Sequence, residues 1–451
     1  MKTNYALEKK IIDNIRALSI DMIRNANSGH PGICLGAAPI LYALYSKHIV
    51  VNPNEPNWIN RDRFVMSAGH GSALLYSTLF FCGYNINIED LKSFRRINSK
   101  TPGHPEHGIT PGVDITTGPL GQGFASAVGM AIAERYYNSI FKNTNLFDHY
   151  TYVLCGDGDL MEGVSYEASS LAGTLKLGKL IVLYDSNSVS LDGRTDLSFN
   201  EDILKRFDAM GWNTQLVSDG ENIEDIDRAI LKAKSVIDRP SIIEIRTIIG
   251  RGSMKQGSNA VHGAPLTEED IAQFKEKNGI RNIPFALSNE AVEEFRTVFN
   301  GRINENIIKW KEEEKKLLSG ENDDLKKTYD EINNSSLDLT KLVDRFLPLT
   351  ESNMRECNSK IMNVISEYLN LFIGGSADLS SSTKTYLSKY SVFSPKDYSG
   401  RNIYFGVREH CMGAVLNGLA LSGLKPFGST FLVFSDYMKP AIRMSCIMNL
   451  P

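Results

Sequence analysis

The sequence contains no C-x-x-C pair, because its six cysteines are scattered between Cys34 and Cys446. A disulfide framework or a structural zinc site needs regular or closely spaced cysteines, so neither is indicated. Cys155 and Cys411 lie near the candidate chemistry described below, and we interpret both as small packing residues.

The sequence also lacks any apolar run that approaches the roughly 20 residues needed to cross a bilayer. Residues 1–10 are polar and have no apolar core of signal-peptide length, so we expect a cytoplasmic protein with no membrane partner. Neither sign of charge dominates, because 49 Lys and Arg residues stand against 53 Asp and Glu residues, for a net charge of −4. This balance argues against nucleic acid as a partner, and any anion site must be local.

Helical and strand patterns alternate along the first part of the chain, which predicts a parallel sheet covered by helices on both faces. With 451 residues and 42% hydrophobic composition, we expect an α/β protein of two domains and a connector. The first domain is residues 1–265, with predicted helices 6–24, 70–82, 124–137, 162–175 and 223–237 and predicted strands 63–66, 152–155, 180–184, 215–217 and 242–247.

A charged segment, residues 266–345, follows and is predicted to form the solvated helices of a connector. A second α/β pattern covers residues 346–451, with predicted strands 371–373, 403–405 and 426–427 and predicted helices 408–422 and 434–448. It stops after a helix, where an open parallel sheet would leave an unpaired edge and apolar faces. We therefore expect this second doubly wound domain to be incomplete.

Two polar side chains follow neighbouring predicted strands of the first domain. Asp157, within Gly156-Asp157-Gly158, ends one strand, and Asn187 ends the next. A right-handed crossover makes these strands parallel, so both side chains reach the sheet edge at which ligands bind in α/β proteins. Carboxylate and amide oxygens are hard ligands, and glycines let backbone N–H groups approach a phosphate, which suggests a divalent cation holding a diphosphate. Taken alone, Gly-Asp-Gly is also a common tight turn.

A glycine-rich loop, residues 118–123, runs directly into a predicted helix with core spacing. Such a loop at a helix N-terminus can admit a phosphate or the face of a ring, although many only pack a helix against a strand. The presence of Asp157 and Asn187 in the same domain favours the functional interpretation.

Five of the eight histidines have glycine as an immediate neighbour, and four of these, His30, His70, His104 and His262, are the candidate site residues. Glycine and proline neighbours place these rings on loops. One such histidine is most often structural, but four in an α/β protein with a phosphate site indicate loops that present donors to a polyhydroxylated or phosphorylated ligand. Their spacing does not predict a metal site.

In the second α/β segment, a predicted strand leads to Glu409, which opens a helix of small apolar residues. The carboxylate is either an ordinary helix-capping acid or a partly buried group suited to proton exchange. Phe431, Phe434 and Tyr437 recur at every third position, and an aromatic stripe of this kind is in isolation typical of a core.

Eight motifs occur in the order found in one enzyme family. They are residues 27–32, 68–72, 100–106, 117–123, 156–163, 262–266, 375–379 and 406–410. In addition, Gly-Asp-Gly followed 30 residues after Asp157 by Asn187 is the motif of thiamine-diphosphate enzymes. On these motifs the chain resembles the transketolases over essentially its whole length.

The resemblance implies two thiamine-diphosphate-binding domains in series. Residues 1–265 would be the diphosphate (PP) domain and residues 346–451 the start of a pyrimidine domain, with a third, C-terminal domain absent. The implied activity is transfer of a two-carbon ketol unit from a ketose phosphate to an aldose phosphate, through a thiamine-diphosphate ylide, in the pentose phosphate pathway. The implied cofactors are thiamine diphosphate and Mg²⁺, with Ca²⁺ or Mn²⁺ as substitutes.

The resemblance also implies which residues would carry out the chemistry. Glu409 would stabilise the imino tautomer of the aminopyrimidine ring, whose nitrogen removes the thiazolium proton. The implied substrate-binding and proton-transfer histidines are His30, His104 and His262.

The remaining implied roles concern phosphate, metal and cofactor. Arg355 and Ser382 would bind the substrate phosphate. Asp157, Asn187 and the carbonyl of Val189 would bind the metal. The implied cofactor contacts are His70, Gly118, Pro119, Leu120, Gly158, Glu162, Asn187, His262, Phe431, Phe434 and Tyr437.

In this family the cofactor lies between the first domain of one subunit and the second domain of its mate, which implies a homodimer acting on sugar phosphates. The missing remainder of the second domain would carry further substrate contacts. The alternative hypothesis is a cofactor-binding but catalytically inactive fragment that pairs with or regulates a complete subunit.

Overall fold

The computed structural model describes residues 5–142, 144–333, 340–346 and 353–451. The strands in these ranges are β1 (Arg63–Met66), β2 (Thr151–Gly156), β3 (Leu180–Ser186), β4 (Asn213–Val217), β5 (Ser241–Arg246), β6 (Phe372–Ser376), β7 (Asn402–Tyr404) and β8 (Lys425–Ser429).

The α-helices in the same ranges are α1 (Tyr5–Ala26), α2 (Pro31–Gly36), α3 (Ala38–Ala43), α4 (Ser72–Cys82), α5 (Ile88–Lys92), α6 (Gln122–Ile140), α7 (Asp157–Met161), α8 (Gly163–Thr174), α9 (Ile203–Ala209), α10 (Ile223–Ser235), α11 (Glu268–Lys277), α12 (Asn289–Ser319), α13 (Asp323–Asn333), α14 (Val343–Phe346), α15 (Met354–Tyr368), α16 (Ser380–Thr383), α17 (Glu409–Leu421) and α18 (Lys439–Ile447). Within the described part of the chain, none of these helices combines the length and the apolar character needed to cross a membrane.

The described chain divides into two compact units. The first contains residues up to 124 together with 149–163 and 178–308, and the second contains residues 125–148, 164–177 and 309–451. The domain boundaries expected from the sequence, after residues 265 and 345, stay predictions, and residues 334–339 and 347–352 near the second boundary lie outside the described ranges.

The first unit contains a five-stranded sheet in the order β1-β2-β3-β5-β4. All four strand pairs are parallel, which confirms the sequence prediction. The central strands β2 and β3 are almost continuously buried, because helices cover both faces and the apolar runs have no solvated side. Their register aligns Gly156 with Asp185, so the ends of the two strands lie side by side.

Two segments differ from the predicted helices for identifiable reasons. The predicted helix 162–175 is preceded by the separate one-turn helix α7, which begins directly after Gly156. The predicted helix 434–448 is instead a 3₁₀ helix, Leu432–Met438, followed by α18. Pro440 lies in the first turn of α18, where its missing N–H leaves no helical hydrogen bond unmade.

The charged segment after the first domain is helical, as predicted, but it is not wholly solvated. Helix α12 buries Phe295, Phe299 and Ile303 in the main core of the first unit. Helix α11 buries Ile271 and Phe274 in a smaller cluster of the same unit. The charged residues dominate the composition here because they cover the outer faces, while a few apolar residues at helical spacing fix each helix to the core.

The second unit contains a three-stranded parallel sheet in the order β7-β6-β8. In this unit, residues 125–140 of α6 pack against α17, with a glycine of each helix at the contact. A Cβ atom added at Gly418 would lie 1.9 Å from the carbonyl oxygen of Ser126, and one added at Gly129 would lie 2.1 Å from the carbonyl oxygen of Val415. The two helix backbones can therefore approach each other this closely only without side chains at those positions.

Replacing Gly418 with Ala should destabilise the protein, because the new methyl group would collide with helix backbone that cannot move independently. Overpacking of this kind costs about 3 kcal/mol, which corresponds to a decrease of about 6–12 °C in the thermal unfolding midpoint. The control is Gly301→Ala on α12, where an added Cβ would meet nothing within 4 Å. Circular dichroism melts that show equal midpoints for the two variants would contradict the close-approach interpretation.

Candidate functional site

Four of the predicted site residues lie in segments that follow the carboxyl ends of strands in the first unit. His70 follows β1, Asp157 follows β2, and Asn187 follows β3. The segment after β5 leads through Thr247 to His262. Because the strands are parallel, their carboxyl ends share one edge of the sheet, as the sequence predicted for Asp157 and Asn187.

Asp157 is buried, with 6% of its surface exposed. One carboxylate oxygen, Oδ1, accepts a hydrogen bond of 2.5 Å from the hydroxyl of Tyr184. The other, Oδ2, is buried and has no hydrogen-bond partner among the described residues. Burial raises the pKa of the carboxyl group, opposed by the Tyr184 hydroxyl and by nearby backbone N–H groups of Ser188 and Asn187. An unpaired buried carboxylate oxygen is costly and points to a cation as its missing partner.

Asn187 has a side chain held at both ends. Its Nδ2 donates to Asp185 Oδ2 at 3.0 Å, and its Oδ1 accepts from the backbone N–H of Val189 at 3.1 Å. Between them, Ser188 adopts a left-handed backbone with φ of 60°, so the chain turns tightly around the amide. The amide oxygen of Asn187 therefore lies next to the buried Val189.

Asp185 was not singled out from the sequence. It is 1% exposed, and besides Asn187 it accepts a hydrogen bond from the hydroxyl of Thr247. Burial raises its pKa to about 6, with a further contribution from the nearby Asp157. The available signal was a carboxylate that follows the fully apolar run of β3, two positions before the predicted metal ligand.

These residues fit a bound divalent cation. No group of three or more His, Cys, Asp and Glu side chains within the described ranges could hold a metal ion, so any metal here must use other donors. The unpaired Oδ2 of Asp157, the amide oxygen of Asn187 and the carbonyl of Val189 are hard oxygen donors of the kind that Mg²⁺ and Ca²⁺ prefer.

The glycine-rich loop is fixed to this site by another buried carboxylate that sequence reasoning missed. Asp159 is fully buried and accepts hydrogen bonds from Gly121 N at 2.9 Å, Ser67 Oγ at 2.6 Å and Gly156 N at 3.1 Å. Burial raises its pKa, and the three donors oppose that shift. Leu120 packs so closely that a Cβ at Gly158 would lie 2.9 Å from its Cδ1. A side chain at position 158 would therefore displace Leu120 from its present position.

The four histidines predicted from glycine neighbours form one cluster. The His30 ring lies 5.2 Å from His70, 6.3 Å from His104 and 6.0 Å from His262, measured between ring centroids. His70 and His262 stack at 5.3 Å. The Nδ1 atoms of His30 and His262 are buried without a hydrogen-bond partner among the described residues. Two unpaired ring nitrogens in one cluster fit a ligand that carries hydroxyl groups.

All four imidazoles have a pKa below the ordinary value for histidine. Burial is the largest cause in each case. For His30 burial, Arg95 and two neighbouring histidines lower the pKa to about 4. The rings are therefore neutral at pH 7, and each can both donate and accept a hydrogen bond.

The remaining predicted residues of the first unit lie at the rim of this site. Glu162 and Pro119 are exposed, while Gly118 is half-buried. A Cβ at Gly118 would lie 3.4 Å from the His104 ring, which places the start of the glycine-rich loop beside the histidine cluster.

In the second unit, Glu409 begins α17 and is 8% exposed. Its Oε1 accepts a hydrogen bond from Thr430 Oγ1 at 3.2 Å, so the expectation of partial burial is confirmed. Glu167, another residue the sequence reasoning missed, accepts from the backbone N–H of Cys411 at 2.9 Å. Burial raises the pKa of Glu167, and the charge of Glu409 contributes to the shift.

Phe431, Phe434 and Tyr437 lie on one face of the 3₁₀ segment, because three residues per turn align positions i, i+3 and i+6. Their ring centroids are 6.1 and 6.5 Å apart in succession. Phe431 is 38% exposed and Tyr437 is 63% exposed, so the interpretation of this stripe as core is wrong within this chain.

Arg355 and Ser382 meet in the second unit, where Arg355 Nη1 donates to the backbone carbonyl of Ser382 at 3.0 Å. The guanidinium is exposed, and its other donors can contact an anion. Cys155 and Cys411 are both fully buried, and burial raises the pKa of both thiols, as expected of packing residues.

Two family models match the chain. Residues 7–334 match the model described as transketolase, thiamine diphosphate binding domain, and residues 350–451 match the model described as transketolase, pyrimidine binding domain.

Individual relatives are similar over nearly the whole chain. A transketolase of Aquifex aeolicus is 47% identical over 458 residues, covering 100% of this chain and 65% of the relative. A transketolase of Bacillus subtilis is 48% identical over 459 residues, covering 99% of this chain and 68% of the relative. A solved transketolase of Pichia stipitis in complex with sedoheptulose-7-phosphate has a TM-score of 0.94 at 41% identity, covering 99% of this chain and 68% of that one. The chain thus spans about two thirds of the length of these relatives.

Replacing Asp185 with Leu should weaken divalent-cation binding by about 10- to 100-fold, because the Asn187 amide would lose the partner that orients it. The measurement is calorimetric titration of the folded variant with Mg²⁺ at a fixed, saturating concentration of diphosphate ligand. Thr247→Val is the matched control, since it removes the other hydrogen bond to Asp185 and leaves the Asn187 contact intact. Equal affinities for Asp185→Leu and the wild type would contradict this role.

Proposed function

The chain belongs to the transketolase family, and we propose that it transfers a two-carbon ketol unit from a ketose phosphate to an aldose phosphate. The observation that carries the proposal is that one unit contains both the histidine cluster, His30, His70, His104 and His262, and the unpaired carboxylate oxygen of Asp157. Neutral rings with unpaired nitrogens suit a polyhydroxylated substrate, and a hard-oxygen cation site suits a diphosphate cofactor.

Thiamine diphosphate and Mg²⁺ are the proposed cofactors, with Ca²⁺ or Mn²⁺ as substitutes. Bound thiamine diphosphate supplies an electron sink for breaking the carbon–carbon bond beside the ketose carbonyl. Asp157, Asn187 and the carbonyl of Val189 would hold the metal, and Gly158 would leave room for backbone N–H groups beside the diphosphate. The other proposed contacts of the first unit are His70, Gly118, Pro119, Leu120, Glu162 and His262.

Glu409 is the proposed acid at the pyrimidine end of the cofactor. Its burial and its hydrogen bond from Thr430 support a carboxylate held in one orientation, which is what a positioned proton donor or acceptor needs. Phe431, Phe434 and Tyr437 would contact the pyrimidine ring through their exposed faces.

The substrate would be held at two ends. His30, His104 and His262 would bind its hydroxyl groups and move protons at their ring nitrogens, of which Nδ1 of His30 and Nδ1 of His262 have no hydrogen-bond partner among the described residues. Arg355, with Ser382, would bind the phosphate through a charge-assisted hydrogen bond.

We also propose a homodimer and a cytoplasmic location. Support for the homodimer comes from the exposed apolar surface around the aromatic stripe, where Leu432 is 89% exposed and Val433 is 67% exposed. A contiguous apolar patch of this kind is unfavourable in water unless a partner or ligand covers it. Light scattering at micromolar concentration would distinguish a dimer from a monomer.

The activity test combines the protein with thiamine diphosphate, Mg²⁺, xylulose 5-phosphate and ribose 5-phosphate, and measures sedoheptulose 7-phosphate. Because the chain spans about two thirds of its relatives, the test uses the longest product of its gene alongside the 451-residue chain. We expect product from the longest form, and its absence there would sink the proposal. The inactive-fragment alternative, which no described residue favours, would instead give cofactor binding without product in both.

Replacing Asp157 with Ala should abolish Mg²⁺-dependent cofactor binding, because it removes the one buried carboxylate oxygen that has no hydrogen-bond partner in the described part of the chain. We expect affinity for thiamine diphosphate with Mg²⁺ to fall by about 100-fold or more, while binding in the presence of a chelator stays weak for both forms. Asp192→Ala, an exposed aspartate on the loop after β3, is the control. Calorimetry that finds wild-type affinity in Asp157→Ala would count against the metal assignment.

A further inference from the structure

Arg95 contacts both of the loops that carry His30 and His104. Its Nη1 donates to Ser28 Oγ at 2.9 Å, and its Nη2 donates to the carbonyl of Gly103 at 3.5 Å. Ser28 lies two residues before His30, and Gly103 immediately precedes His104. One guanidinium group therefore joins the two loops next to their functional rings.

The backbone of Arg95 is arranged for this contact. Its φ of 61° is in the left-handed region, which is unfavourable for a residue with a side chain. Its N–H donates to the carbonyl of Thr101 at 3.0 Å, which closes the loop that leads to Gly103. The side chain packs over the buried Phe94 ring, with the guanidinium carbon 5.5 Å from the ring centroid.

The half-buried Arg95 side chain lies directly against Gly103. A Cβ at Gly103 would lie 3.4 Å from both Cγ and Nε of Arg95. The Nε atom is buried and has no hydrogen-bond partner among the described residues. Leaving a buried donor unpaired is unfavourable, so this orientation is maintained by the two loop contacts rather than by full pairing of the side chain.

Arg95 is a positive charge that acts on two rings of the histidine cluster, His30 and His104. The groups that lower the pKa of His30, after burial, are Arg95, His262 and His104, and for His104 the group after burial is Arg95. His70, the remaining ring, packs against His30. No carboxylate is among the groups that shift either pKa, although the exposed Glu106 lines the same surface cavity as Arg95.

We propose that Arg95 is a positioning residue for the reaction: its guanidinium holds the His30 and His104 loops in one relative geometry and confronts both rings with a permanent positive charge. The identity of that reaction rests on the proposed function. Its physical content is that a cation close to both imidazoles disfavours their protonated forms. The rings then stay available to accept protons and hydrogen bonds from a polyhydroxylated substrate near neutral pH.

Three variants test the two parts of the proposal. Arg95→Gln removes the charge and keeps a hydrogen-bonding group, while Arg95→Lys keeps the charge and loses the planar fork. Arg96→Gln removes an exposed neighbouring arginine and is the matched control. Histidine-labelled protein without substrate is titrated by NMR, with resonances assigned through single histidine substitutions.

We expect Arg95→Gln to raise the pKa of both His30 and His104 by about 0.5 or more, because the disfavoured protonated form is no longer repelled. Arg95→Lys and Arg96→Gln should leave both values near those of the wild type. Unchanged values in Arg95→Gln, or an equal rise in Arg96→Gln, would overturn the electrostatic role. If Arg95→Gln fails to fold, the same titration is done on Arg95→Lys with and without added KCl. A rise in the pKa of His30 and His104 on adding salt supports the electrostatic role, because salt screens the remaining charge. Values that do not change with salt oppose it.

The kinetic readout addresses the loop contacts. Arg95→Lys should lower kcat/KM by about tenfold through misplaced histidines, with the acid limb of the pH profile unmoved. Arg95→Gln should lower it further and shift the acid limb to higher pH. A wild-type value of kcat/KM in Arg95→Lys would overturn the proposal that the guanidinium holds the two loops in place. The NMR titration needs no turnover, so shifted histidines in a protein without transketolase activity would support Arg95 and remove only the proposed function.

Discussion

The hydrogen bonds accepted by the buried carboxylate of Asp159 are the contacts on which the rest of the candidate site depends. They join Gly156 at the end of β2, Ser67 after β1 and Gly121 in the glycine-rich loop. These three segments are far apart in sequence, and without a common acceptor their buried N–H and O–H groups would be unpaired. The same contacts place Leu120 against Gly158 and bring the start of the loop to His104.

A second constraint is that the site buries two kinds of polar group that require different ligands, the histidine rings and the Asp157 carboxylate. Burial lowers the pKa of all four histidine rings, and Arg95 lowers that of His30 and His104 further, whereas Asp157 retains an unpaired carboxylate oxygen. Both arrangements are unfavourable without a ligand, since unpaired polar atoms lose their hydration. A hydroxylated substrate and a cation would satisfy these atoms, so the cost of folding an incomplete site is offset when the ligands bind.

Sequence patterns predicted the parts of the fold that depend on local periodicity. Strand β1 and the helices α1 and α10 were predicted nearly to their ends, because apolar residues recur there at strand or helix spacing. The 3₁₀ segment Leu432–Met438 was mistaken for α-helix. Over so short a length, aromatic residues at every third position fit both the three residues per turn of a 3₁₀ helix and the 3.6 residues per turn of an α-helix. The buried contacts of α11 and α12 were missed because charge dominates their composition. Asp185, Asp159 and Glu167 were missed because a carboxylate's partners lie on other segments.

The sequence by itself determined the parallel α/β order, the site residues that carry motif signals, and the resemblance to transketolases, because strand ends, glycine neighbours and motif spacing are properties of the chain read locally. Only the tertiary structure decided that four histidines on separate loops form one cluster, that Asp157 keeps an unpaired oxygen, and that Arg95 joins two of those loops. Burial, hydrogen-bond satisfaction and charge proximity depend on which distant segments meet. Contacts between distant segments are decided by the packing of the whole unit, and no local sequence pattern encodes them.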